Sequence, residues 1–138
     1  IVAVGTTSVR TLESLTALAW RIKMEGTPAT ERVIGQWELY DIPAEFGGRE
    51  ALQTLLGYME ANSLEQLKAA TQIMITPLGY HFRIVRYIIT NFHQPKSTLL
   101  LLVGAYVGDA WHAIYDYALS HDFRFLSYGD SSLLKVDR

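Results

Sequence analysis

The chain opens on a change of hydrophobic period. Ile1, Val2, Ala3 and Val4 form an unbroken apolar run that stops at Gly5, after which Val9, Leu12, Leu15, Ala19 and Ile22 recur at helical spacing. A short apolar run closed by a glycine reads as a buried strand, and the recurrence behind it as an amphipathic helix. A strand feeding directly into a helix commits the chain to a sheet covered by helices. Thr6, Thr7 and Ser8 at the junction are candidate N-caps, although Arg10 stands where the reciprocal Glu or Gln of a capping box would be. Gly26 and Pro28 end the helix.

The same alternation continues downstream. Residues 33–42, with Trp37, Leu39 and Tyr40, read as extended, and Leu52, Leu55, Leu56 and Met59 behind Gly47 and Gly48 mark a second helix. Ser63 with Gln66 forms a capping box for a short helix to residue 70. Residues 72–76 and 80–90 are rich in Ile, Val, Tyr and Phe around Pro77-Leu78-Gly79, which predicts a β-hairpin. Ser97 or Thr98 caps an apolar helix over residues 99–107 broken at Gly108, and Trp111, Ile114, Tyr115 and Ala118 define one more over 109–119. Residues 123–128 read as a strand, Gly129-Asp130 as a turn and 133–136 as a last extended piece. The expected fold is therefore α/β, a mixed sheet with flanking helices, in a single domain over residues 1–138.

Composition narrows the function classes. The chain has 138 residues, 49% of them hydrophobic and 19% charged, as in a globular domain able to bury a core. It contains no cysteine, which removes disulfide frameworks and thiolate zinc sites and leaves a reducing compartment, the cytoplasm, as the expected location. Twelve basic against fourteen acidic residues give a net charge of -2, so any contact with nucleic acid must be local. The longest apolar run falls well short of the ~20 residues of a membrane span. The opening residues lie inside a strand pattern with no signal-peptide character, the expectation for a piece of a longer polypeptide.

Polar loops at strand ends are where open α/β sheets bind ligands. In Gly5-Thr6-Thr7-Ser8-Val9-Arg10 a glycine permits a tight turn and the helix behind it offers unpaired N–H groups to a carboxylate or phosphate; the same residues also serve a plain helix cap. Thr90-Asn91-Phe92-His93-Gln94-Pro95-Lys96-Ser97-Thr98 is dense in groups that donate, accept or move protons. His93 there is a candidate acid or base, Asn91 can orient an amide or hydroxyl, and Lys96 can meet an anion, although Lys96-Ser97 lacks the glycines of a P-loop. Phe123-Arg124-Phe125-Leu126-Ser127-Tyr128-Gly129-Asp130 sets an arginine among aromatics ahead of hydroxyls, a glycine and a carboxylate, a pattern that holds bases and phosphates but also closes ordinary core strands. Glu13 and Asp130 are the best-placed carboxylates. His81, His112 and His121 are scattered, which gives no support to a histidine metal site.

Taken in order, Val4-Gly5-Thr6-Thr7-Ser8-Val9-Arg10-Thr11-Leu12-Glu13-Ser14, Thr90-Asn91-Phe92-His93 with Pro95-Lys96-Ser97-Thr98-Leu99, and Arg124-Phe125 with Ser127-Tyr128-Gly129-Asp130 resemble the signature blocks of the S-adenosylmethionine:tRNA ribosyltransferase-isomerase family. The resemblance runs from the first residues to Leu134 and implies the C-terminal portion of a longer, two-domain protein. Departures from the family pattern, Gln94 in place of Leu, Arg86 in place of Asp and the added Leu78, flank the blocks.

The resemblance implies transfer and isomerisation of the ribosyl group of S-adenosylmethionine onto 7-aminomethyl-7-deazaguanine in tRNA, giving epoxyqueuosine with release of adenine and methionine. It implies no metal or redox cofactor, a monomeric full-length enzyme away from membranes, and a portion inactive alone. Under it, His93 and Asp130 are candidates for proton transfer. Gly5, Thr6, Thr7, Ser8, Arg10 and Glu13 are candidates for anion or substrate binding, as are Asn91, Phe92, Lys96, Ser97, Thr98, Arg124, Ser127, Tyr128 and Gly129. The three loops are expected on one side of the domain, and apolar surface is expected where a longer polypeptide continues. Two other readings are a small-molecule-binding module without catalysis and an interaction domain that docks a partner on the helix over residues 99–107.

Overall fold

A computed structural model describes residues 1–135. In chain order it contains β1 (Val2–Val4), α1 (Thr6–Glu25), a 3-10 turn (Glu38–Tyr40), α2 (Gly48–Ala61), β2 (Tyr87–Asn91), α3 (Thr98–Val107), α4 (Ala110–Ser120) and β3 (Ser131–Lys135). The α/β class with a mixed sheet is as expected. Its residues group into two compact units, one made of Ile1–Val9 and the chain from Ile75 onward, the other of Arg10–Met74.

The sheet lies in the first unit. β2 is its central strand, parallel to β1 and antiparallel to β3. Val4 stands opposite Ile89, and Ile89 opposite Leu133; Ala3, Ile88 and Leu134 share the next rung. Because side chains alternate across a pleated strand, the second rung faces one way and the first the other. Ala3, Ile88 and Leu134 are 1%, 0% and 4% exposed, whereas Val4 and Leu133 are both 65% exposed. One face of the sheet is thus core and the other carries open apolar side chains.

Helix α3 starts where Ser97 Oγ accepts a hydrogen bond from Leu100 N at 3.1 Å, and it stops at Gly108, whose φ of 60° a glycine adopts without strain. Its apolar run belongs to the core: Leu102, Val103 and Tyr106 are buried, and Tyr106 Oη donates to the Arg86 carbonyl at 2.5 Å. Phe82 packs edge-on against Tyr106 with ring centroids 5.0 Å apart. Among the described residues no single helix is long and apolar enough to cross a membrane. At the start of α1, Thr6, Thr7 and Ser8 occupy the first turn behind Gly5 rather than capping it from outside.

The second unit is organised around Arg21, a buried cation. Its guanidinium takes both carboxylate oxygens of Glu38, at 2.7 and 2.8 Å, and donates to the carbonyls of Ala29 (3.0 Å), Arg32 (2.9 Å) and Val33 (3.2 Å). A planar fork satisfied on both edges ties an otherwise irregular loop to α1.

Several expected elements are replaced. Residues 72–76 and 80–90 do not form a hairpin: only Tyr87–Asn91 is a strand, while Gln72 N and Met74 N donate to Ile34 O and Gln36 O, both at 2.9 Å. Ile73, Ile75, Tyr80, Phe82, Ile84 and Val85 are all buried, so their composition reports burial rather than strand pairing. The stretch over 33–42 yields a single parallel bridge, Ile34 to Thr71, and the 3-10 turn in place of a strand. No helix follows Ser63. That residue, at φ 52°, terminates α2: Ser63 N bonds to Glu60 O and Leu64 N to Met59 O, the paired closure of a Schellman motif. The strand expected over 123–128 is a looped segment, and the pairing strand begins at Ser131; Val136, in the last expected piece, lies outside the described residues.

The buried and open faces of the sheet make a direct prediction. Ile88→Ala, which empties the central buried position, is expected to cost about 2–5 kcal/mol in urea unfolding, whereas Val4→Thr on the open face should stay within about 0.5 kcal/mol. Equal losses at both positions would contradict the register.

Candidate active site

Loops meet at the carboxyl ends of the parallel strands. Gly5 leaves β1 at φ 84°, a left-handed turn that glycine adopts freely, and its N–H is held by the Ile89 carbonyl of β2 at 2.7 Å. β3 runs the opposite way, so the segment entering it arrives at the same edge: Asn91 is paired with Ser131. The amide nitrogen of Asn91 donates to the carbonyls of Gly129 (3.3 Å) and Asp130 (3.4 Å), and Leu126 N donates to Phe92 O at 2.9 Å. Of the segments 5–10, 91–98 and 127–130 expected to converge, this register brings together Gly5, Asn91 and the end of the third, which precedes a strand instead of following one; it does not do so for Arg10 or for residues 96–98.

The 124–130 loop is closed by one ion pair and one glycine. Asp130 Oδ2 accepts from Arg124 N at 2.8 Å and Asp130 Oδ1 from Arg124 Nη2 at 3.1 Å, while Asp130 N returns to Arg124 O at 2.8 Å. At Gly129 a Cβ would fall on the Arg124 carbonyl group, so no larger residue fits without opening the turn. Hydrogen bonds from the Arg124 side chain hold the Asp130 carboxyl below the usual range, with a smaller downward push from the Arg124 backbone N–H. A carboxylate stabilised in this way is a weak base, which fits a structural clasp better than proton abstraction.

His93 sits in a different environment. It is 9% exposed, its Nε2 lies 2.9 Å from Thr90 Oγ1, and its backbone N donates to Tyr115 Oη at 3.0 Å. Burial lowers its pKa, because a charged ring loses more solvation than a neutral one. Desolvation thus favours the neutral imidazole over the charged ring. Burial also raises the Tyr115 pKa, opposed by the hydrogen bond from His93 N. Phe92 anchors the surroundings, with Tyr115, Phe123 and Phe125 ring centroids 5.4, 5.5 and 5.5 Å from its own. The sequence places Thr90 at the head of the polar loop and Tyr115 on a helix face without marking either as a partner of His93; Tyr115 in particular reaches His93 from a helix far along the chain.

The remaining candidates are distributed more widely. Thr6 is buried, while Thr7 and Ser8 are exposed on the first turn of α1. Ser127 and Tyr128 stand out from the loop, Tyr128 98% exposed. Lys96, Ser97 and Thr98 line a separate apolar groove of about 350 Å³ with Pro77, Leu100 and Trp111, and Lys96 adopts a φ of 61°. Phe92 borders another open cleft, about 420 Å³, with Tyr117, Phe123 and Ser131. Arg10 and Glu13 belong to the second unit; Glu13 is fully buried, and Arg10 Nε is enclosed with no hydrogen-bond partner among the described residues.

The chain is similar in sequence and in fold to known proteins. A family model described as queuosine biosynthesis protein matches residues 1–134. The S-adenosylmethionine:tRNA ribosyltransferase-isomerase of Cereibacter sphaeroides is 47% identical over 88 residues, 63% of this chain and 25% of that protein. The enzyme of the same name from Brucella ovis is 57% identical over 67 residues, 48% of this chain and 18% of that protein. The crystal structure of an S-adenosylmethionine tRNA ribosyltransferase from Thermotoga maritima superposes with a TM-score of 0.59 at 29% identity, covering 96% of this chain and 32% of that one. The chain thus spans a third or less of the length of these relatives.

The burial of His93 carries a pH signature. Its pKa is lowered in the folded state from an ordinary value of 6.5, so below that pH the unfolded chain binds the proton first. Stability contributed by the neutral ring is complete above about pH 6.5 and is lost as pH falls towards the folded pKa. Thermal unfolding should show the melting temperature dropping over this range in the wild type and a flatter profile in His93→Asn; identical profiles would contradict the assignment.

Proposed function

The chain belongs to the queuosine biosynthesis protein family, and on that premise we propose that it supplies part of the active site of an S-adenosylmethionine:tRNA ribosyltransferase-isomerase. The reaction we assign to the longer polypeptide moves the ribosyl group of S-adenosylmethionine onto the aminomethyl nitrogen of 7-aminomethyl-7-deazaguanine in tRNA. Adenine and methionine leave, and the ribosyl unit rearranges to the epoxycyclopentane of epoxyqueuosine. With tRNA as acceptor, the place of work is the cytoplasm.

The observation that carries this reading is the clasp at the carboxyl ends of β1 and β2, where Asn91 ties β2 to Gly129 and Asp130 beside a buried neutral His93. The chemistry calls for a group that takes an acidic proton beside the sulfonium, donors that ease departure of adenine, and a cradle for the methionine carboxylate. We place His93 at the reacting centre. The Gly5 turn and the first N–H groups of α1 suit a carboxylate, since a helix start concentrates unpaired donors and positive field. Arg124, Ser127 and Tyr128 are offered on an exposed loop suited to the RNA, Tyr128 as a surface on which a base can stack. No metal or redox cofactor is part of this scheme.

The test uses a polypeptide of the relatives' length that carries these residues. His93→Ala should lower turnover by about 10²- to 10⁴-fold while calorimetry finds S-adenosylmethionine binding nearly unchanged. Turnover within a few-fold of wild type would remove His93 from the chemical step, and a change confined to the Michaelis constant or melting temperature would make it a packing or binding residue.

A further inference from the structure

The partner of His93 decides which face of its ring a ligand meets. A threonine hydroxyl has one proton to donate and two lone pairs, and a neutral imidazole has one nitrogen of each kind. Thr90 is 5% exposed, and among the described residues the only partner of its Oγ1 is His93 Nε2, at 2.9 Å. If Nε2 carried the ring proton, the Thr90 hydroxyl would accept that bond and its own proton would be left enclosed without an acceptor. If Nε2 is bare, Thr90 donates to it, every enclosed proton is used, and only lone pairs remain unfilled, the cheaper omission. The ring proton then resides on Nδ1.

Nδ1 is the nitrogen left for a ligand. It has no hydrogen-bond partner among the described residues and is not one of their fully enclosed, partnerless side-chain atoms, so it keeps some accessible surface although the residue as a whole is 9% exposed. The residue is fixed at its main chain as well, through the bond from His93 N to Tyr115 Oη, and Thr90 is fixed by the Ser132 hydroxyl on its carbonyl at 3.2 Å. Ring and backbone are thus held from β2, β3 and α4, and swinging Nε2 outward would break the Thr90 contact.

We propose that Thr90 is a positioning residue that holds His93 as its Nδ1–H tautomer, so that the ring meets a ligand as a hydrogen-bond donor and not as a base. A neutral imidazole donor stabilises negative charge developing on a leaving or transferred group without itself changing charge. Which group of the substrate receives that bond rests on the transferase reading; the tautomer does not. Under this assignment the group that removes the proton beside the sulfonium is one other than His93.

The experiment is a long-range ¹H–¹⁵N correlation spectrum of the complete polypeptide labelled at histidine, recorded above the imidazole titration range. The wild type should show His93 with Nδ1 protonated and Nε2 as an acceptor. Thr90→Val should release it to a mixture dominated by the Nε2–H form, and Thr90→Ser, which restores a hydroxyl, should return the wild-type pattern. An Nε2–H ring in the wild type would overturn the proposal, as would a Thr90→Val spectrum without change. Should Thr90→Val fail to fold, the wild-type spectrum decides alone. In turnover assays Thr90→Val should lose roughly 10- to 100-fold, the range found when the partner orienting a ligand histidine is removed, with Thr90→Ser near wild type. Absence of S-adenosylmethionine binding in the wild type would sink the transferase reading and leave the tautomer result standing.

Discussion

Strand β2 is hydrogen-bonded on both edges, to a parallel neighbour on one side and an antiparallel one on the other, and everything proposed for the site depends on that pairing. A parallel partner brings its own carboxyl end to the edge where β2 ends, and an antiparallel partner brings the segment that leads into it. Gly5, Asn91 and Asp130 meet for this reason, although long stretches of chain separate them. The register is fixed by burial: a one-residue slip would turn Ile88 outward and Ile89 inward, against the 0% exposure of the former. It would also exchange Thr90 and Asn91, moving the buried hydroxyl away from His93 and the amide away from the loop it clasps.

Two electrostatic environments then sit close together on this edge, with opposite physical origins. The Arg124–Asp130 pair is exposed, with Arg124 side-chain exposure of 74%, so it owes its geometry to several aligned hydrogen bonds and contributes little to stability through charge attraction alone. His93 has no opposite charge as a partner among the described residues; desolvation favours its neutral form, and two hydroxyls fix its orientation. One charged pair shapes a loop while one neutral ring offers a directed polar atom.

Legibility in the sequence followed local physics. β1, α1, α3 and α4 were readable because each carries a hydrophobic period and a stop signal within itself, as Ser97 and Gly108 do for α3. The hairpin over 72–90 was not, since Ile, Val, Tyr and Phe mark burial as readily as pairing, and Phe82 meets Tyr106 instead of a facing strand. Residues 123–128 misled for the same reason: their aromatics pack around Phe92 while Leu126, at φ 68°, breaks any extended run. Of the site, the loop residues were visible as dense polar clusters. That Thr90 and Tyr115 partner His93 was not, because what matters about them is a distance across elements, and neither a hydroxyl in a strand nor a tyrosine on a helix face announces its partner.

The claim that these loops form one ligand site is tested most directly by hydrogen–deuterium exchange on a polypeptide of the relatives' length, with and without S-adenosylmethionine. The account predicts slowed exchange concentrated in residues 5–9, 90–93 and 124–131 together, since a ligand seated at the carboxyl ends of β1 and β2 must shield all three. Protection confined to the groove between Pro77, Lys96 and Trp111, or to residues within 34–74, with the clasp around Asn91 unchanged, would contradict it.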